Sequence, residues 1–173
     1  MPAAWHIAGM SRAFVKEDSA EPPLVVPRAP LPDGVPNYVT RRGLTALQQE
    51  RSALEAARPT SDGATGAAAL ASHNARLGAL DLRIAGALSV DAATLPHDEI
   101  RFSAAVTLRD SAGHERRYRI VGVDEADPHS GRIAFVAPLA RELMGKRLGD
   151  TVSLRHQGRP TDFEIIAIDY TQE

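Results

Sequence analysis

The chain contains no cysteine. That removes disulfides, thiolate catalysis and Cys-ligated zinc, and it suits a reducing cytoplasm. Long apolar runs are missing too: nothing approaches the ~18 residues of a membrane span. The opening MPAAWHIAGM has no basic region ahead of an apolar core and does not read as a signal peptide. Charge of one sign is also lacking. Twenty Lys and Arg face 22 Asp and Glu, for a net charge of -2, and the pI is near 6.3. The chain as a whole therefore has no electrostatic pull toward nucleic acid or an anionic membrane, and any work on nucleic acid is expected to run through another protein. What is present is ordinary for a globular chain: 173 residues, 43% hydrophobic and 24% charged, enough for one domain or two small ones.

Three regions follow from local pattern. Residues 1–36 hold many of the prolines, as in EPPLVVPRAPLPDGVP, and read as a disordered or polyproline-like tail. Within it, Met10 begins MSRAFVKED and reads as the biological start. From Thr40, a candidate N-cap, RRGLTALQQERSALEAA carries Leu44, Leu47 and Leu54 on one helical stripe. Arg58–Gly66 breaks the run with Pro and Gly. A second helix is expected from Ala67 to Leu88, with Leu70, Leu77, Leu80, Ile84 and Leu88 near heptad spacing. Residues 37–92 thus predict an antiparallel helical hairpin, a short coiled coil with arms of roughly 25–30 Å; a plain helical bundle fragment is the alternative. Over 93–173 the period changes to two. IRFSAAVTLRD, HERRYRIVGV, GRIAFVA, DTVSLRH and TDFEIIAIDY read as strands separated by turns at Asp110–His114, Pro128–Gly131 and Gly158–Pro160. PLARELMGK, with Pro138 at the first helical position, is the one helix among them. The expected class is α+β, an antiparallel sheet with one helix packed on it.

The candidate chemistry is thin. Val-Asp-Glu-Ala-Asp at 123–127 has the form of the metal-binding strand of an ATP-driven helicase. Such a site needs a Gly-rich phosphate loop, and the only Gly-Lys pair, Gly145-Lys146, has Ala140 where the first Gly belongs and Arg147 where Ser or Thr belongs. Taken alone, Asp124–Gly131 reads as a polar turn between two strands. The six histidines (His6, His73, His97, His114, His129, His156) show no paired i, i+4 spacing for zinc, and His73 falls on a d-type position of the second helix, where a polar residue sets register. No G-x-S-x-G elbow organises a serine nucleophile. Catalytic residues, metal ligands and cofactor sites are therefore all expected to be absent.

A helical hairpin followed by YRIVGVDEADPHSGRIAFVAPLARELMGKRLGD closely resembles the GreA/GreB family of bacterial transcript-cleavage factors. The resemblance rests on Tyr118, Val121, Gly122, Asp124, Glu125, Asp127, Gly131, Ile133, Pro138, Leu139, Leu143, Gly145, Gly149 and Asp150. MSRAFVKED and NYVTRRGLTAL are similar to starts of the GreB type. The resemblance implies an FKBP-like C-terminal domain, a fold statement carrying no isomerase activity. It also implies docking on bacterial RNA polymerase at the rim of its secondary channel. The docking residues would be Gly122, Asp124, Glu125 and Asp127 of the acidic loop, and Val136, Ala137 and Pro138 before the helix. Ala137 stands where the family carries Ser, a hydroxyl that can cap the helix.

At the hairpin tip the sequence departs from the family. Cleavage factors carry two acidic residues there to help hold a second Mg²⁺, because a hard cation in a two-metal mechanism wants several carboxylate oxygens. Here the tip is Thr60, Ser61, Asp62 and Gly63, with Asp62 a lone carboxylate, on arms shorter than the family's. The combination resembles short-hairpin, Rnk-type members that bind polymerase without stimulating cleavage. The expectation is a monomeric, cytoplasmic regulator of this kind, meeting nucleic acid only indirectly and having no membrane or cofactor requirement. An active cleavage factor using Asp62, or a generic hairpin-plus-FKBP-like interaction module, are the alternatives.

Overall fold

The computed structural model describes residues 30–92, 96–156 and 159–171. The proline-rich stretch through residue 29, including the proposed start at Met10, lies outside the described residues, as does Gly158 of the last expected turn.

The helical hairpin is present. α1 spans Arg41–Ala56 and α2 spans Gly63–Ala85, arms of roughly 24 and 34 Å at about 1.5 Å per residue. Thr40 N-caps α1, its side chain accepting the Gly43 N–H. The seam between the arms follows a coiled-coil rhythm. On α2, positions 70, 73, 77, 80 and 84 alternate steps of three and four; His73 and Leu80 are buried, and Leu70, Leu77 and Ile84 are half-buried. His73 thus takes the polar seam position that its spacing predicts. Leu47 packs with Leu80 and Val39, flanked by Leu44, Leu54 and Ile84. Arg51 crosses from α1 to Asp81 on α2 at 2.6 Å. Being largely solvent-exposed, this pair adds little stability and mainly favours one register.

Two boundaries differ from expectation. α2 begins at Gly63, one turn before Ala67, and ends at Ala85, so Leu88 leaves the seam. It lies instead on β2 (Ala87–Ser89), which pairs in parallel with β1 (Asn37–Val39) and closes the base of the hairpin. The early helix start is made possible by a missing side chain. A Cβ on Gly66 would lie 2.9 Å from the Thr60 carbonyl oxygen and 3.0 Å from the Ser61 carbonyl carbon, so the interhelix link folds back against a glycine.

The second half forms a five-stranded sheet from β3 (Ala105–Asp110), β4 (Glu115–Val121), β5 (Arg132–Ala134), β6 (Thr151–His156) and β7 (Arg159–Asp169), in the order β5-β4-β3-β7-β6. The helix α3 (Pro138–Leu143) starts with Pro at its first turn and buries Ala140 and Leu143. The architecture is therefore α+β as predicted, with one refinement. The pairs β3–β4, β3–β7 and β6–β7 are antiparallel, but β4 and β5 are parallel. Asp124–Gly131 accordingly is no hairpin turn. The ten residues 122–131 must carry the chain back to the level of Arg119, opposite Arg132, and they do so through two single-turn 3₁₀ helices, Val123–Glu125 and Pro128–Ser130.

The core lies between the sheet and α3, built from Ile100, Val106, Leu108, Ile120, Phe135, Leu143, Phe163 and Ile165, among others. Along β7 the inward positions change parity, from Phe163 and Ile165 to Ile168 and Tyr170. A bulge accounts for it: Thr107 faces Ala167 while Leu108 faces Ile165, which leaves Ile166 as the extra residue. The Tyr170 hydroxyl then donates to the Glu99 carbonyl at 2.6 Å and accepts the Arg101 N–H at 2.9 Å, pinning the segment that leads into β3. Tyr38 of β1 packs its ring against Phe102 and Phe135, with centroids 5.9 and 5.6 Å away, and so joins the hairpin's base to this core.

Two of the three glycines of α2, Gly66 and Gly78, are expected to respond oppositely to alanine. Gly78 is exposed with open space around it, so Gly78→Ala should raise stability by roughly 0.5–1 kcal/mol through helix propensity. Gly66→Ala should lower stability despite the same propensity gain, because its new methyl meets backbone that has little freedom to move. Urea unfolding monitored by circular dichroism compares the two.

Candidate functional site

The segment leaving β4 directs its carboxylates in two ways. Asp124 and Glu125 sit side by side on the first 3₁₀ turn and reach back to the helical hairpin, one to each arm. Asp124 Oδ2 lies 2.8 Å from Arg83 Nε in the last turn of α2, the two side chains being 3% and 11% exposed. Glu125 goes to the first turn of α1. Its Oε1 accepts the backbone N–H of Thr40 at 2.9 Å and that of Gly122 at 3.2 Å, and its Oε2 accepts the Thr40 hydroxyl. In a capping box the third helical residue is Glu or Gln, whose side chain returns to the N-cap N–H. Here that residue is Gly43, and the carboxylate arrives from 85 positions away in the sequence. A Cβ on Gly43 would stand 2.1 Å from Glu125 Cδ. The glycine makes the room that the foreign carboxylate fills.

Asp127 turns toward its own loop. It caps the second 3₁₀ turn, accepting the Ser130 hydroxyl at 2.8 Å, the His129 N–H at 3.2 Å and Arg132 Nη2 at 3.2 Å. The Ser130 hydroxyl first, then Arg132 and the His129 N–H, hold its carboxyl below its ordinary value, with partial desolvation working against them.

Of the acids expected to meet a partner, Asp124 and Glu125 thus already have contacts within the chain. Both carboxylates are engaged by the protein's own hairpin, and Gly122 is buried. The partners Thr40, Gly43 and Arg83 were missed as site residues. The signal available for the first two was a Thr followed by Gly where a capping box has Glu; for Arg83 there was none.

The segment before α3 has a different character. Val136 and Ala137 are half-buried and Pro138 is exposed. Ala137 is the N-cap and makes no side-chain capping bond. Pro138 and Leu139 edge an open groove of about 470 Å³ whose apolar floor includes Tyr118, Leu154 and Phe163 and whose sides carry Arg116 and Glu142. A second cleft, about 320 Å³, lies between α1 and the sheet and is lined by Arg42, Glu50, Ser103, Arg119 and Arg132 beside the Glu125 latch. Buried Ser103 takes φ +73 there, a left-handed conformation uncommon outside glycine.

At the far end of the hairpin, Thr60, Ser61, Asp62 and Gly63 are all exposed. Asp62 is the N-cap of α2 but makes no side-chain capping bond. Among the described residues no three His, Asp or Glu side chains gather as a metal site would require, and no helix is long and apolar enough to cross a membrane.

Residues 95–170 match the family model described as "Transcription elongation factor, GreA/GreB, C-term". The chain is 42% identical over 96 residues to the transcription elongation factor GreA of Acidiphilium cryptum (strain JF-5), a match covering 55% of this chain and 61% of that protein. To the GreA of Brucella canis it is 38% identical over 99 residues, covering 57% and 63%. Among solved structures, the prokaryotic transcription elongation factor GreA/GreB from Nitrosomonas europaea aligns with 77% of this chain and 98% of its own at 17% identity and a TM-score of 0.42. Residues 95–170 are thus similar to the C-terminal domain of GreA/GreB transcription elongation factors. The matched stretch spans only about three-fifths of the GreA relatives' length.

Two outcomes follow from the loop geometry. Asp124→Asn should destabilise the protein by about 3–5 kcal/mol, because it strands the buried Arg83 charge, whereas Arg83→Met combined with Asp124→Leu should recover most of that loss; chemical denaturation measures both. The Asp127 turn responds to pH. Since its folded pKa is depressed, its contribution is present above the ordinary aspartate range and is lost as pH falls through the lowered value. An NMR titration of the Asp127 carboxyl carbon should place its midpoint below that of a free aspartate.

Proposed function

We propose that the protein is an RNA polymerase-binding regulator of the GreA/GreB type that docks at the rim of the polymerase's secondary channel and does not itself stimulate transcript cleavage. The observation carrying this reading is a pairing: a C-terminal domain of the family joined to a hairpin whose tip offers one exposed carboxylate. Placing a second Mg²⁺ for phosphoryl chemistry takes several carboxylate oxygens from well-held side chains. Asp62 is single and uncapped, and the neighbouring glycines serve the tight fold-back of the chain.

Docking falls to the groove beside Pro138. An apolar floor with one cationic and one anionic side chain at its sides suits an amphipathic helix laid into it, a common mode of helix recognition. With Asp124 and Glu125 bonded to the hairpin, the contribution of these two acids is to shape this domain and its attachment to the hairpin. The protein would act as a monomer in the cytoplasm, meeting nucleic acid only through the polymerase and needing no cofactor.

Retention on core RNA polymerase, at a salt concentration that retains a GreA factor, tests the docking half; the protein should be retained and should displace GreA in competition. Pro138→Glu should weaken retention by about tenfold or more while the fold persists, since an acidic residue is welcome in the first turn of a helix. No retention of the parent protein would retire the reading. A backtracked elongation complex tests the other half, with no Mg²⁺-dependent 3′ RNA cleavage expected. Cleavage that disappears in Asp62→Ala would make the protein a cleavage factor instead.

A further inference from the structure

Two neighbouring carboxylates on one 3₁₀ turn hold the two arms of the hairpin separately. Asp124 takes the last turn of α2 and Glu125 the first turn of α1. Adjacent residues of a single tight turn have little freedom to move apart, so the arms are held at a set spacing and direction against the end of β4. We infer that this turn is a latch that sets the direction of the hairpin relative to the sheet domain, with Glu125 the positioning residue for α1. The inference does not depend on which partner the protein binds.

The aromatic contact between the two parts has a different physical character. Tyr38 against Phe102 and Phe135 buries apolar surface, which attracts without prescribing direction. Hydrogen bonds to a carboxylate demand both distance and angle. Glu125 accepts three donors, two of them from Thr40, at the end of α1 where the helix dipole favours negative charge. Because Gly43 forgoes the usual local carboxylate, the Thr40 N–H finds this acceptor only while the hairpin is seated on the sheet domain. The carboxylate half of the α1 cap and the direction of α1 are thereby set by one interaction. A hairpin swung away from the sheet domain keeps the Thr40 side-chain bond to the Gly43 N–H but loses the carboxylate on the Thr40 N–H and hydroxyl.

The test moves the carboxylate from one side of the contact to the other. Gly43→Glu combined with Glu125→Ala rebuilds a capping box within α1 and severs the tie to the turn. The chain has no native cysteine, so Ser61→Cys at the tip and Ser111→Cys in the exposed β3–β4 turn accept a pair of nitroxide labels without interference. In the labelled parent, electron–electron double resonance should give one narrow distance distribution. In the carboxylate-swapped protein the distribution should broaden or shift while far-UV circular dichroism keeps the parent's helix content. A distribution with the parent's centre and width would overturn the inference. Should the swapped protein fail to fold, the isosteric Glu125→Gln carries the test. It should broaden the distribution in the same sense to a smaller degree, and an unchanged distribution there overturns the inference equally.

Discussion

The arrangement of this protein turns on a carboxylate that caps a helix to which it does not belong. Glu125 reaches from the sheet domain to the N-terminus of α1, and beside it Asp124 meets Arg83 in a contact almost closed to solvent. Burying a charge is costly unless it is paired and hydrogen-bonded. Here each of the two adjacent charges finds a separate partner, on a different helix. That division of labour ties the start of the first arm and the end of the second to one turn.

The same requirement explains features of the sheet that look unrelated. A parallel β4–β5 pair usually needs a crossover of a dozen or more residues, often with a helix. The link here is shorter and consists of two 3₁₀ turns, each closed by its own acid, Glu125 on the Gly122 N–H and Asp127 on the His129 N–H. The acids of Asp-Glu-Ala-Asp therefore do two jobs at once, folding a short crossover and anchoring the hairpin to it. A motif with the letters of a nucleotide-hydrolysing strand is, in this fold, a structural joint.

How much of this was legible in the sequence depends on the range of the interaction. Features set by neighbours could be read directly: the period-two strands, Pro138 opening α3, Thr40 capping α1, and the three-four spacing that places His73 in the seam. Boundaries set by close backbone approach could not. Gly63–Gly66 looks like a loop by composition, and only the contact with the Thr60 carbonyl shows why glycine begins a helix there. The pairing of β4 with β5, the bulge at Ile166 and the Arg83–Asp124 contact join residues far apart in the chain, with no local pattern to announce them. The resemblance to GreA/GreB factors singled out the loop for docking and carried no sign that Asp124 and Glu125 also bind the hairpin. The missing Glu at position 43 was the one local sign that a carboxylate had to come from elsewhere.

That sign also bears on how a hairpin with an altered tip can stay useful. The distance from base to tip multiplies any uncertainty in angle: over an arm of roughly 34 Å, a tilt of about 10° at the base moves the tip by about 6 Å. A protein whose tip must supply two metal-binding carboxylates has to control both chemistry and reach. One whose hairpin only occupies space has to control direction alone. In this chain the tip carries a single exposed carboxylate, Asp62, on a glycine-rich link, while the base has a buried ion pair, two Glu125 bonds to Thr40 and aromatic contacts. These specific polar contacts of the hairpin are thus gathered where its direction is set, at the base.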